Sequence, residues 1–525
     1  MATNSRSAVS VDQVKSLTPN GTYAAGDTIT LAVDYHSAIK VSGTPELSLN
    51  SGGTADFSGY GHNHTELLFT YVVQPGDYAA DLDVIGYAPG STGSVTSPLG
   101  KPTLFAPGAS HTLAANADLL IDAKISPTPT FTYLTGVSDP SNGSSVDPAI
   151  SGDGHFVAFS SRATNLVPGQ TDLNGSGSDI FVYDAVAKTT TNITNDAKGG
   201  SFNPAISADG HSVTFFSDAT NLVPGQTDLN GSVLDIFVYD AVAKTTTNIT
   251  NDAEGGLHGL GSADPAISAD GHSVTFWSTA TNLVPGQTDL NGSVLDIFLY
   301  DAVAKTTTNI TNGANGGNFQ PAISADGHSV TFFSNAMNLV PGQTDLNGSG
   351  SDIFVYDAVA KTTTNITNGA NGESRDPAIS ADGHSVTFFS DATNLVPGQT
   401  DLNGATQDIF VYDAVAKTTT NITNGANGYS SAPAISADGH YVAFSSNATN
   451  LVPGQTDLNG ATWDIFVYDA VAKTITNITN DAKGGSFNPA ISADGHSVVF
   501  ATHAANLDGT SHVSNGQTDI VLWHI

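Results

Sequence analysis

The sequence predicts an all-β protein: a seven-bladed β-propeller with four-stranded blades, preceded by a β-sandwich. Three observations carry this. A phrase close to PAISADGHSVTFFS begins at Pro148, Pro204, Pro265, Pro321, Pro377, Pro433 and Pro489, seven units at spacings of 56, 61, 56, 56, 56 and 56 residues. Self-similarity at a fixed period is the signature of a repeat architecture. The first six units each hold four short strand patterns, of which the second and third are apolar toward both faces, so neighbours must cover both sides. The two ends of the array complement one another, as a ring requires.

Residues 1–126 lie outside the repeat. The runs GTYAAGDTITLAVDY, TPELSLN, TADFSGY and TELLFTYVV are strand-like alternations between Gly, Asn and Ser turns, as in a β-sandwich. Two prolines in Ile125 to Thr130 mark a linker, which sets the domains at 1–126 and 127–525. Within unit two, Pro204 to Ser207 reads as a first strand closed by Asp209-Gly210, a hairpin-turn pair. Ser212 to Ser217 and Asp235 to Val242 read as the second and third strands, and Thr245 to Thr250 as a β-branched fourth. The AVAK stretch between the last two is too short to hold a helix. The one long interval comes from an insertion at Leu257 to Ser262.

Unit seven ends in Thr518 to Ile525, which aligns with a third strand, so it lacks a fourth. Thr130 to Thr135, just before unit one, has the pattern of that missing strand. Such a swap requires the first and last units to touch. A closed ring then pairs edges that an open stack would leave exposed.

The SADGHSVTFFS and DIFVYD segments resemble the WD40-like (PD40) repeats of TolB-type β-propellers, over roughly Thr130 to Ile525. This resemblance implies the fold and leaves scaffold, receptor and enzyme roles open. In the N-terminal segment the order GTY-AGDTITL, GTPELSLN, LLFTYVVQPGD, LDVIGY is similar to Ig-like modules of bacterial surface adhesins. That similarity implies an extracellular or cell-surface bacterial setting.

Lys and Arg total 15 against 49 Asp and Glu, a formal charge of -34 that repels nucleic-acid phosphates and suits divalent cations or cationic ligands. Without cysteine there is neither a disulfide, a thiolate metal site nor a Cys nucleophile. No run approaches the roughly 18 to 20 apolar residues of a membrane span. The opening MATNSRSAVSVDQ lacks the apolar region of a signal peptide.

Between the second and third strands runs a nearly invariant loop, NLVPGQTDLNGSxxD. Its Asp, Asn and second Asp partly match the oxygen ligands that calcium takes from a short loop. The trios are Asp172, Asn174, Asp179; Asp228, Asn230, Asp235; Asp289, Asn291, Asp296; Asp345, Asn347, Asp352; Asp401, Asn403, Asp408; and Asp457, Asn459, Asp464. Up to six Ca²⁺ sites follow, in the weak extracellular range of ~10⁻⁴ to 10⁻³ M. The same residues equally suit Asn-Gly turns with each Asp accepting backbone N–H bonds. Unit seven departs, with Asn506-Leu507-Asp508-Gly509. The histidines of the SADGH turns (His155, His211, His272, His328, His384, His440, His496) stand one per blade and far apart, so they read as turn residues rather than a metal cluster.

Neither a GxSxG elbow nor HExxH occurs, and no catalytic residue is assigned. Equal stations around an axis suit multivalent binding. Differences between blades gather in the fourth-to-first connections and just before the third strand, which emerge on one face. There Asp147, Asn203, Asp264, Gln320, Asp376, Ala432 and Asn488 should ring the channel mouth, with His258, Glu373, Arg375, Tyr429 and Trp463 nearby. Neutral drift in exposed loops accounts for the same variation. Trp277 is expected to pack between blades. The leading expectation is an extracellular, non-catalytic, calcium-binding adhesion protein that recognises a glycan or surface polymer. One alternative is a propeller-type polysaccharide lyase or hydrolase, with His258, Arg375 and Glu373 converging. Another is a TolB-like scaffold with a protein partner.

Overall fold

In the repeated part, the strand patterns of each unit form one antiparallel sheet, and the computed structural model contains seven four-stranded sheets among its described residues. It describes the chain except residues 1–8, 24–25, 62–63, 75–76, 80, 89–93, 99–102, 104, 106–110, 118, 123–128, 136–141, 172, 176, 227–232, 252–260, 289–293, 345, 349, 401–405, 456–461 and 510–515. Two units divide the chain, Met1–Pro129 and Thr130–Ile525.

In the N-terminal unit, alternation decides which face is buried. Along Thr28–Tyr35, Ile29, Leu31 and Val33 point inward, and along Glu66–Val72 so do Leu67, Phe69 and Tyr71. These two strands pair with Leu31 opposite Phe69 in the middle of a six-stranded sheet. A three-stranded sheet of Gly21–Tyr23, Leu119–Asp122 and Tyr78–Ala79 contributes Leu119 and Ile121 to the same core.

The C-terminal unit is a propeller-like arrangement of the four-stranded sheets. In the second sheet the strands are Ser201–Ile206, Ser212–Ser217, Asp235–Asp240 and Thr245–Asn248, in that spatial order. The first begins three residues earlier than its sequence suggested because a bulge follows Phe202, so Pro204 lies inside the strand. The fourth ends at Asn248 because Thr250 turns inward, where its Oγ1 accepts the Ile236 N–H at 3.0 Å.

Both faces of each sheet are buried, as the sequence required. Val213, Phe215 and Phe237 of the second sheet pack on Ala158 and Ile180 of the first. Phe215 and Phe237 stack at 5.7 Å, and the same pair recurs as Phe276/Phe298, Phe332/Phe354 and Phe388/Phe410. The last sheet is completed by Thr130–Tyr133, which pairs with Asp519–His524 from Thr130 opposite His524 to Tyr133 opposite Val521. The seam is packed: Val157, Phe159 and Phe181 of the first sheet share a cluster with Val499, Ile520 and Leu522 of the last.

Backbone hydrogen bonds trace the ring directly. Each SADG turn donates to the next, Ala208 to Ala269, Ala269 to Ala325, Ala325 to Ala381, Ala381 to Ala437, Ala437 to Ala493, Ala493 to Gly152 and Gly152 back to Ala208, at 2.9 to 3.0 Å. The circuit returns to its start, which an open stack cannot do.

One substitution marks the closing sheet. Elsewhere the loop glutamine holds the alanine after the second strand, as Gln226 Nε2 does to the Ala219 carbonyl at 3.2 Å and Gln343 Nε2 to Ala336 at 2.7 Å. Unit seven has no such glutamine, and the Tyr133 hydroxyl donates to the Ala504 carbonyl at 2.6 Å instead.

Candidate binding site at the channel mouth

The bulge in each first strand sets the mouth. It places Asp147, Asn203, Asp264, Gln320, Asp376, Ala432 and Asn488 in the left-handed region, with φ between 42° and 52°. Asp and Asn tolerate that conformation best, which fits five of the seven positions. These residues and the prolines after them line one cavity of about 360 Å³. The ring inferred from sequence is thus brought together on a single opening.

Acids and amides alternate around most of it, and the amides serve the acids. Asn203 Nδ2 donates to Asp264 Oδ1 at 3.0 Å, and Trp277 Nε1 donates to Asp264 Oδ2 at 2.8 Å. Trp277 packs between sheets as expected, but its contact with the ring was not foreseen. Gln320 hydrogen-bonds Asp376. Asp147 differs, since among the described residues no hydrogen bond reaches its carboxylate.

Burial pushes Asp147 up to about 6, with the Asp264 charge adding to the effect. Burial pushes Asp376 to about 6 as well, against the lowering influence of Gln320 and Arg375 and with a further raise from Asp264. The mouth therefore holds two carboxyls pushed well above the usual carboxylate range.

The remaining candidates scatter around this ring. Arg375 and Glu373 form an ion pair with each other, nearly half exposed, and the guanidinium lies 6.0 Å from the Phe333 ring centre. Tyr429 is exposed and Trp463 half-buried. His258 lies outside the described residues.

In the DLNG loops, the leading aspartates Asp172, Asp228, Asp289, Asp345, Asp401 and Asp457 lie outside the described residues, as do Asn230, Asn291, Asn403 and Asn459. The strand aspartates Asp179, Asp235, Asp296, Asp352, Asp408 and Asp464 are buried at the start of each third strand. Asp179 accepts from Asn192 Nδ2 at 2.8 Å, Asn174 Nδ2 at 2.9 Å and Thr194 Oγ1 at 3.3 Å. Asp352 is met likewise by Asn365, Asn347 and Thr367. The two described loop asparagines thus turn nitrogen, not oxygen, toward the carboxylate. Among the described residues no group of three or more His, Asp or Glu is placed to hold a metal.

On the opposite turns each histidine is held by its own aspartate, as His211 Nδ1 is by Asp209 Oδ2 at 3.0 Å. Burial raises these aspartates, but the serine hydroxyl, the histidine N–H and the histidine charge outweigh it, so Asp153, Asp209, Asp270, Asp326, Asp382 and Asp494 end below the usual carboxylate range.

No family model matches the chain, and no curated relative matches it. It is similar to solved structures of propeller type. An oligogalacturonate lyase from Vibrio parahaemolyticus aligns over 76% of this chain and 97% of its own, at 12% identity and a TM-score of 0.46. A prolyl endopeptidase aligns over 73% of this chain and 50% of its own, at 12% identity and a TM-score of 0.46. A puromycin-hydrolyzing peptidase from Mycobacterium tuberculosis aligns over 72% and 53%, at 15% identity and a TM-score of 0.44. Among the described residues no helix is long and apolar enough to cross a membrane.

Proposed function

We propose that this chain is an extracellular, non-catalytic binding protein, in which a closed seven-bladed propeller follows an Ig-like sandwich and takes a polar glycan or surface polymer at the channel mouth. The observation that carries this is one cavity lined by seven equivalent stations, six of them acids or amides. Such a ring offers convergent acceptors and donors in one concave site, the usual form of a ligand pocket. Screening wild type and Asp147→Ala against a panel of soluble polysaccharides tests it. Retention of at least one polymer, weakened about tenfold by the substitution, supports the reading, and retention unaffected by it refutes the location.

A lyase or hydrolase is the second reading, favoured by one observation. Two carboxyls near 6 in one cavity have the property of a general acid at neutral pH. New reducing or unsaturated ends released from a retained polymer, and abolished by Asp147→Asn or Asp376→Asn, would establish it. Retention of a protein partner and of no polymer would favour the scaffold reading.

We also propose that calcium, if taken up by the DLNG loops, is held chiefly by the leading aspartates, because the strand aspartates are already committed to asparagine and threonine donors. Melting of chelator-treated protein with and without millimolar calcium checks this, since an ion that prefers the folded state must raise its stability.

A further inference from the structure

We propose that the channel mouth binds the primary ammonium group of an amino sugar, on the arc between the sixth sheet and the first. This rests on the reading of the mouth as a glycan site and names the class of glycan.

The arc is where the repeat breaks down. Beside the mouth, the second strands of sheets two to five carry Phe216, Trp277, Phe333 and Phe389, whereas sheets six, seven and one carry Ser445, Ala501 and Ser160. The station of sheet six is Ala432, the only one of the seven without a polar side chain. Space and polarity therefore coincide on one side of the ring.

Two groups there lack partners that their counterparts have. Asp264 is met by Asn203 and Trp277, and Asp376 by Gln320, while no hydrogen bond among the described residues reaches Asp147. Ser445 is only 1% exposed, yet among the described residues its Oγ has no hydrogen-bond partner. Its counterpart Ser160 accepts the N–H of Asn203, the mouth residue of the following sheet, at 3.1 Å. By that equivalence Ser445 lies on the strand behind Asn488, covered from the cavity, and its strand partner Ser431 precedes Ala432. A buried polar group without a partner is costly, and a ligand that supplies one recovers that cost.

An ammonium group has three N–H donors and a positive charge. The Asp147 carboxylate and the Asn488 side-chain amide stand on adjacent stations of the cavity and offer it acceptors, next to the apolar station at Ala432. The charged group that acts on Asp147 is Asp264, which in turn acts on Asp376, and Arg375 is engaged by Glu373, so the net field of the mouth favours a cation. Protonation of Asp147, which titrates at about 6, removes the charge that the ammonium needs.

Calorimetric titration of the full chain with glucosamine tetrasaccharide, N-acetylglucosamine tetrasaccharide and tetralysine tests this. The expected result is binding of the free-amine sugar, at least about tenfold weaker binding of the acetylated one, a similar loss in Asp147→Asn, and weakening of about tenfold between pH 7 and pH 5. Equal binding of both sugars that is still lost in Asp147→Asn overturns the ammonium assignment and leaves the mouth as the site. Binding indifferent to Asp147→Asn overturns the mouth itself. Tetralysine binding without sugar binding overturns the amino-sugar class in favour of a protein chain. Retention of other polymers at the mouth, with no heat from any of these probes, overturns the inference alone.

Discussion

Replacing Tyr133 tests how the ring is closed. Its side chain is 5% exposed and packs against Val521, Phe500 and Val498 on the strand pairing that joins the two ends of the unit. Its hydroxyl donates to the Ala504 carbonyl at 2.6 Å and accepts the Leu507 N–H at 3.3 Å. Burial holds the phenol up at about 12, so it remains a donor at any physiological pH. Tyr133→Phe keeps the packing but strands both backbone groups, which costs about 1 to 3 kcal/mol. Tyr133→Ala adds a cavity and should cost about 3 to 5 kcal/mol. Val242→Ala, at a turn tip that is 71% exposed, is the control and should stay within about 0.5 kcal/mol. Urea unfolding followed by tryptophan fluorescence reads the effect where it matters, because Trp523 lies opposite Phe131 on the closing pair. We expect the alanine variant also to broaden the transition, since a ring opened at its seam unfolds unit by unit as linear repeats do. If Tyr133→Ala behaves like Val242→Ala, the terminal strand does not close the ring and the argument from complementary ends fails.

Further expectations follow from the same contacts. Asp408→Ala removes the acceptor of Asn421 Nδ2 and Thr423 Oγ1, at 2.9 and 3.0 Å, and should lower stability by about 1 to 3 kcal/mol in denaturant; a change under about 0.5 kcal/mol would show that this aspartate is not structural. Asp147 is raised in the folded state to about 6, so it holds a proton there that the unfolded chain releases near 4. Stability is thus highest below pH 4 in this group's contribution and falls as pH rises to about 6, a loss of roughly 2 to 3 kcal/mol. Asp147→Asn should therefore raise the melting temperature near pH 7.5 and leave it unchanged near pH 4, and the reverse pattern would contradict the burial of this carboxyl. The turn aspartates such as Asp209 and Asp494 are lowered, so their stabilisation is present above about pH 4 and is lost as pH falls through their folded values. Acid titration by circular dichroism should show cooperative loss of structure below pH 4, shifted to higher pH by removing several of these turns' serines, as in Ser207→Ala with Ser268→Ala.

Much of this was legible in the sequence because repetition amplifies weak signals. One Asp-Gly pair or one β-branched run says little, but the same pair seven units in succession identifies a turn, and the unmatched ends at Thr130 and Ile525 indicate closure. The mouth residues were also legible, since each precedes the repeat proline. Their left-handed backbone was not, because Gln320 and Ala432 adopt it without a local signal and only the bulge imposes it. Nor was the pairing of Trp277 with Asp264 visible, because the residues lie on adjacent strands and an aromatic among strand residues reads as packing. The replacement of a loop glutamine by Tyr133 spans 371 residues, and no local pattern reports it. The histidine–aspartate pairs were not read from the sequence either, which gave the histidines only as turn residues, although they sit two residues apart and a tight turn at Gly210 brings them together.

The most direct measurement is the titration of Asp147 itself, followed by carbon-detected NMR on aspartate-labelled protein and assigned with Asp147→Asn. A midpoint near 6 is expected, falling when the free-amine tetrasaccharide is added, because a bound cation favours the ionised form. A midpoint near 4 that no ligand moves would contradict the claim that the channel mouth is a desolvated acceptor site.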